Sequence, residues 1–421
     1  MHDDFASSPE GIRLRASTRF FNRLRLNLPL EPKSKQAMGR REKENFQNLI
    51  IAEMKRQKRT AFRGRIAAKL WLSATAPNPP HLYKAIKNLL DLFGSPLAKN
   101  TRRKGLVYFD DSQLWALSVA YRVKAETPGV HATFAPLSHF IQDIALASDI
   151  LSGCLPHSGR IAEEVEEDEP NVSAIDKYLD LRRDDWWAMD DTTFDAIARW
   201  NKYEAQRALL NQTRLGIRNL SNLYASSDML PRDPVAMYPE IVAVRSEIAD
   251  SVKTSRLRVG LPRPPEKEGD TVRFREEADR AIEEFEREFH PIWQPLLTPI
   301  ALEVAYKPVL GSNQPVRDLD NLMRYVLSRF NERFKPPSNV SKAWAPAPNE
   351  SQSNTRGLPP KSIEYSIVRL DVFQFSRRPS DASEGFFVVG LAPHMSLSDN
   401  LWTKADEIIE KWRDASSASL G

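Results

Sequence analysis

Cysteine is almost absent: Cys154 is the single one in 421 residues. That excludes a disulfide framework and a zinc-ribbon site. Of the seven histidines, His131, His139 and His157 are unevenly spaced and show no metal-ligand pattern, so they read as surface or core residues. No apolar run approaches the length needed to span a bilayer. The first residues, MHDDFASSPEG, carry acids where a secretory signal needs a basic and then an apolar stretch. The next segment, RLRASTRFFNRLRL, is Arg-rich like a mitochondrial presequence, but the early acids argue against one. The expectation is a cytoplasmic protein.

The length suits two domains, or one duplicated domain with insertions, and 41% apolar residues allow real cores. Thirty prolines imply many loops. The net charge of +4 hides an asymmetry, because residues 1–130 hold 25 Lys and Arg against 11 Asp and Glu. A basic first third on an otherwise acidic chain is the electrostatic footprint of a polyanion binder. The plainer reading is a solvated surface of mixed charge.

One strand–turn–helix pattern occurs twice. RDLDNLMRYVLSRF (317–330) carries an apolar stripe at helical spacing, Leu322, Val326 and Phe330. PHLYKAIKNLLDLF (80–93) repeats it with Leu82, Ile86, Leu90 and Phe93. An alternating segment precedes each: Ile300, Leu302, Val304 and Tyr306 in one case, Ile66, Ala68, Leu70 and Leu72 in the other. That period of two predicts a half-buried strand. Only the later copy has acids at its helix start, Asp318 and Asp320. Inside a helix, residues two apart point about 200° from each other. At an extended-to-helix junction they can point the same way, with Asp320 or Asn321 near the N-cap and the helix dipole steadying them. With Arg324 one turn further on, such a pair suits a divalent metal beside a phosphate. The alternative is an N-cap plus a surface acid.

In chain order, the pattern predicts a strand in 19–30, a helix over 42–58 ending in KRQKR, a strand at 65–73 and a helix at 82–93. A turn into a strand follows at 106–123, then a helix at 138–152. The run EEVEEDEP (163–170) reads as a solvated linker, or as an acidic cover for a basic groove. Residues 174–224 read as helical, with Trp186, Trp187 and Trp200 available for core packing or base stacking. A Pro-rich linker is expected at 259–265 and a strongly charged helix at 271–289. A strand at 299–308, a polar loop at 335–360, the strands SIEYSIVRLDVFQF and GFFVVGLA, and a helix at 401–413 complete the reading.

PKSKQ, the basic helix, a strand, KAIKNLLDLF and VYFDDSQLWALSVAYR, in that order, resemble the RusA family. These are small Mg2+-dependent endonucleases that resolve Holliday junctions, usually as homodimers. Residues 19–124 resemble nearly the whole family domain. The family pattern is D-x-D-N-x-x-K at a helix start, then D-D-x-Q before a strand. The first copy has His81, Leu82, Tyr83 and Lys84 in place of D-x-D-N, yet keeps Asp110, Asp111 and, at the lysine position, Lys87. The second keeps Asp318, Asp320 and Asn321, with Arg324 at the lysine position. Setting SIEYSIVRLDV against FDDSQLWALSV puts Glu364 level with Asp111.

The resemblance implies an α+β fold of two RusA-like strand–helix units, a pseudo-dimer, joined by a mainly helical insertion. The boundaries are 1–125 for a basic unit with its acids partly lost, 126–265 for the insertion and linkers, and 266–421 for the unit with the RDLDN turn. It implies Mg2+ or Mn2+ held among Asp318, Asp320, Glu364 and Asp111, with Asp318, Asp320 and Arg324 catalytic. DNA contacts fall to Lys33, Lys35, Lys55, Arg56, Lys58, Arg59, Lys87, Arg102 and Arg103.

Three readings follow: a metal-dependent endonuclease for branched DNA, a DNA-binding module of the same ancestry, or an interaction protein whose acids cap helices. The endonuclease reading points to recombination and repair of DNA and to no membrane partner. Its site is expected within the second unit, with Glu364 approaching Asp318 and Asp320, and the DDSQ turn lying beside the HLYK helix start of the first. The alternative is a composite site in which Asp110 and Asp111 join Asp318 and Asp320. One site would nick once, or require further self-association.

Overall fold

The apolar segments of both halves become strands of one eight-stranded mixed sheet in a computed structural model of the chain. The structure describes residues 8–97, 104–123, 125–159, 161, 173–181, 190–213, 215–225, 258–262, 264, 271–293, 296–308, 319–334, 367–375, 385–394 and 400–418. The fold is α+β.

The first half holds β1 (Leu24–Leu28), β2 (Ile66–Ser73), β3 (Leu114–Arg122) and β4 (Gly129–Pro136). Its helices are α1 (Pro9–Thr18), α2 (Arg40–Arg56), α3 (Leu82–Gly94) and α4 (Leu137–Leu151). Three helices follow: α5 (Ser173–Leu179), α6 (Asp191–Thr213) and α7 (Ile217–Ala225). The second half holds β5 (Arg258–Gly260), α8 (Thr271–Trp293), β6 (Ile300–Lys307), α9 (Leu319–Arg333), β7 (Ile367–Gln374), β8 (Phe386–Pro393) and α10 (Leu401–Ala418).

Across the sheet the order is β1-β4-β2-β3-β7-β6-β8-β5. Each half pairs two strands in parallel, β2 with β3 and β6 with β7, and flanks them with an antiparallel strand. A register shift falls between Ile66 and Ala67, and another between Ile300 and Ala301. Ser118 faces Lys69 as Asp371 faces Glu303, and Ser118 faces Asp371 across the antiparallel β3·β7 seam. The pairing pattern is therefore symmetric about that pair. The same register sets Leu114 level with Ile367, which is the offset that puts Glu364 level with Asp111; Glu364 itself lies outside the described residues.

Four elements differ from the sequence expectation, the first being α1, a helix where no element was expected. Residues 19–30 begin with a 3-10 turn, Arg19–Asn22, and only Leu24–Leu28 is strand. β4 comes from the stretch assigned to the insertion and sits between β1 and β2, so the first half's pairing runs past 125. The stretch read as a linker at 259–265 starts inside β5, an edge strand on β8, so the second half's pairing begins before 266.

Helices cover both faces. Phe46, Ile50 and Met54 of α2, the stripe of α3, and the apolar positions of α8 and α9 close over one side. Helices α4, α7 and α10 close over the other. With neither face in water, β6, β7 and β8 are buried at every position and read as apolar runs rather than as alternation. The second face also buries charge. Arg23 reaches Asp143 at 2.6 Å and Asp406 at 2.7 Å, and Lys69 reaches Asp406 at 3.2 Å. Arg19 pairs with Glu410. These pairs tie the N-terminal segment and the sheet to α10.

Candidate functional site

The DDSQ motif forms a 3-10 turn, Asp111–Gln113, at the entrance to β3. Gln113 locks it. Its side-chain carbonyl accepts from the backbone N–H of Phe109 at 2.7 Å and of Asp110 at 3.1 Å. Its amide donates to the carbonyls of Phe62 at 3.0 Å and Gly64 at 2.9 Å. Asp110 caps the turn, accepting from Ser112 N–H at 2.8 Å. The Ser112 hydrogen bonds hold the Asp110 carboxyl below its usual range, so it is ionised at neutral pH. Capping is the structural use of Asp110; its exposure leaves it able to bind a cation as well.

The loop that Gln113 grips continues from the basic end of α2. Lys55, Arg56, Lys58, Arg63 and Arg65 are exposed, and Arg59 is half-buried. Phe62 bridges Tyr108, and the Arg65 guanidinium lies 3.6 Å above the Trp115 ring. Cations and acids thus share one end of the sheet, held together by the Gln113 carboxamide and by the backbone bridge of Phe62, whose N–H donates to the Val107 carbonyl at 2.8 Å.

The within-unit expectation meets a geometric obstacle. Asp111 lies at the C-terminal end of α3, where a Cβ on Gly94 would stand 3.3 Å from its Oδ1. The start of α3 is at the opposite edge, where the Tyr121 hydroxyl donates to the Pro80 carbonyl at 2.9 Å. Tyr121 is near the far end of β3, so most of a strand's length separates the DDSQ turn from His81. A parallel β–α–β crossover dictates this: the helix starts where its first strand ends and returns to where the second begins.

The seam supplies the neighbour instead. Ala116 faces Phe373, so β3 starts where β7 finishes. The helix following β6, parallel to β7, sets out from that same edge. In keeping with this, α9 packs against α3, β3, β7 and the 3-10 turn itself. Asp320, Asn321 and Arg324 occupy the first two turns of α9. Their side chains, and all of Asp318, Glu364, Arg102 and Arg103, lie outside the described residues.

The remaining expected cations are placed as follows. Lys33 pairs with Glu42 at 2.6 Å and Lys35 with Asp91 at 2.7 Å, a contact that raises the pKa of Lys35. Arg56 pairs with Glu53. Lys87 is half-buried on α3, about two turns from the end that meets Asp111. Trp200 packs on Tyr203, ring centroids 5.8 Å apart, while Trp186 and Trp187 lie outside the described residues. Sequence reasoning missed Phe109, Arg63, Arg65 and the role of Gln113; the glutamine of D-D-x-Q was the available signal.

Comparisons with protein-family models, curated proteins and solved structures return no match. Among the described residues no three His, Cys, Asp or Glu side chains group to hold a metal ion, and no helix is long and apolar enough to cross a membrane. Asp110 and Asp111 supply hard oxygen donors, the chemistry that Mg2+ or Mn2+ takes.

Proposed function

We propose that the chain is a metal-dependent, RusA-like endonuclease for branched DNA, built as two fused units with one composite site. The observation that carries the reading is the contact between α9 and the DDSQ turn beside the basic loop. On this reading Asp318 and Asp320 join Asp110 and Asp111 at one end of the seam. The other end would pair His81–Lys84, which lack acids, with the segment of Glu364. The acids each unit has lost are then the ones its competent site does not need.

A bound divalent ion would polarise a phosphodiester and lower the pKa of water. The carboxylates would hold it, and Arg324 with the loop arginines would offset charge growing on the phosphate oxygens. The +14 charge of residues 1–130 would bind the backbone without regard to sequence.

Nicking of a labelled four-way junction under a Mg2+ titration tests this. Asp110→Asn with Asp111→Asn, and separately Asp318→Asn with Asp320→Asn, should each lower cleavage at least about a hundredfold while DNA binding persists. Glu364→Gln should cleave normally. Loss on Glu364→Gln with full activity in the Asp110/Asp111 variant would restore the within-unit site. Metal-independent binding with no cleavage would leave a DNA-binding module.

A further inference from the structure

Phe109 is 43% exposed and directly precedes the two acids of the DDSQ turn. Single exposed apolar residues are ordinary. This one differs in its mounting. Its N–H is held by Gln113, which is itself anchored to Phe62 and Gly64. The preceding residue, Tyr108, is buried and donates its hydroxyl to the Leu90 carbonyl at 2.7 Å. Little backbone freedom is left to lose when something covers the ring.

The surroundings select the occupant. Arg63, Arg65 and Lys104 are exposed on adjoining segments, and Asp110 is exposed next to the ring. An apolar protein surface laid over Phe109 would have to desolvate these charges. A nucleobase would not: it offers a π-face to the ring while its phosphates meet the cations. A base inside intact duplex has no free face, whereas one at a branch point does.

We propose that Phe109 stacks on an unstacked base at the branch point of DNA and so sets preference for branched over plain duplex. This rests on the nucleic-acid reading above. The test places 2-aminopurine at the branch point of a junction and reads its emission, with anisotropy titrations of junction and duplex alongside. Wild-type protein should change the emission and favour the junction. Phe109→Ala should abolish the change and lower junction affinity about tenfold, with duplex affinity unaltered, which also shows that the variant is folded. Phe109→Trp should keep both properties. If the wild-type protein binds and prefers the junction while Phe109→Ala matches it in emission and affinity, stacking is overturned and the nuclease reading stands. If the wild-type protein binds neither DNA, both fall.

Discussion

At Gly94 the DDSQ turn meets the C-terminal end of α3. A Cβ there would lie 2.9 Å from Cε2 of Tyr108 and 3.3 Å from Oδ1 of Asp111. Gly94→Ala should gain up to about 1 kcal/mol of helix propensity but lose about 1–3 kcal/mol to overpacking. The net expectation is a lower denaturation midpoint and reduced cleavage. An unchanged midpoint would show that the turn yields without strain. Asp406 poses a different question. Burial opposes its ionisation, but Arg23 and Lys69 outweigh that and hold its carboxyl below the usual value. Its contribution to stability is therefore present above the ordinary carboxylate pKa of about 3.9 and is lost as pH falls through the depressed value. Asp143, on the same Arg23, is raised because burial dominates there, so its contribution runs the opposite way. Asp406→Asn, which leaves Lys69 without its ion-pair partner and Arg23 with Asp143 alone, should cost about 3–5 kcal/mol at neutral pH. The gap from wild type should shrink in acid, measured as denaturant midpoints against pH.

The basic end of α2 stores a small strain. Lys58 has a φ of 52°, a left-handed cap position where glycine is usual. Arg59 N–H closes the helix by donating to the Met54 carbonyl at 2.8 Å. Lys58→Gly should raise stability by about 1 kcal/mol. If Lys58 meets a phosphate, the same change should reduce the slope of log affinity against log salt by about 0.9. A stability gain with an unchanged slope would remove Lys58 from the DNA footprint. Elements such as α2 and α3 were legible because one apolar stripe specifies each. β5 was not, being three residues beside prolines with Val259 its one buried apolar side chain. α1 buries only Gly11 and Ala16 and so shows no stripe. β4 alternates at Val130, Ala132 and Phe134, but the adjacent proline and histidine masked it.

Over the whole molecule, the sheet order repeats while the surface charge does not. α2 carries KRQKR at its end, whereas α8, in the matching place between the first two strands of its half, is rich in glutamate. The motifs on each half were legible, but which edges meet was not, because periodicity specifies faces and not strand partners. The antiparallel β3·β7 seam supplies that missing fact, and it sets the DDSQ turn beside α9 rather than beside α3's own start. The composite reading makes a prediction no single-unit site shares. A chain with Asp110→Asn and Asp111→Asn and a chain with Asp318→Asn and Asp320→Asn each carry half of the acid set. If the set assembles within one chain, mixing the two variants should leave junction cleavage absent, because neither chain holds all four acids. If the site instead forms between two chains that associate at random, an equal mixture should regain about a quarter of wild-type activity. Sedimentation of the wild-type protein across the same concentrations separates these cases from failure to associate, and restored cleavage would move the site from the seam of one chain to an interface between two.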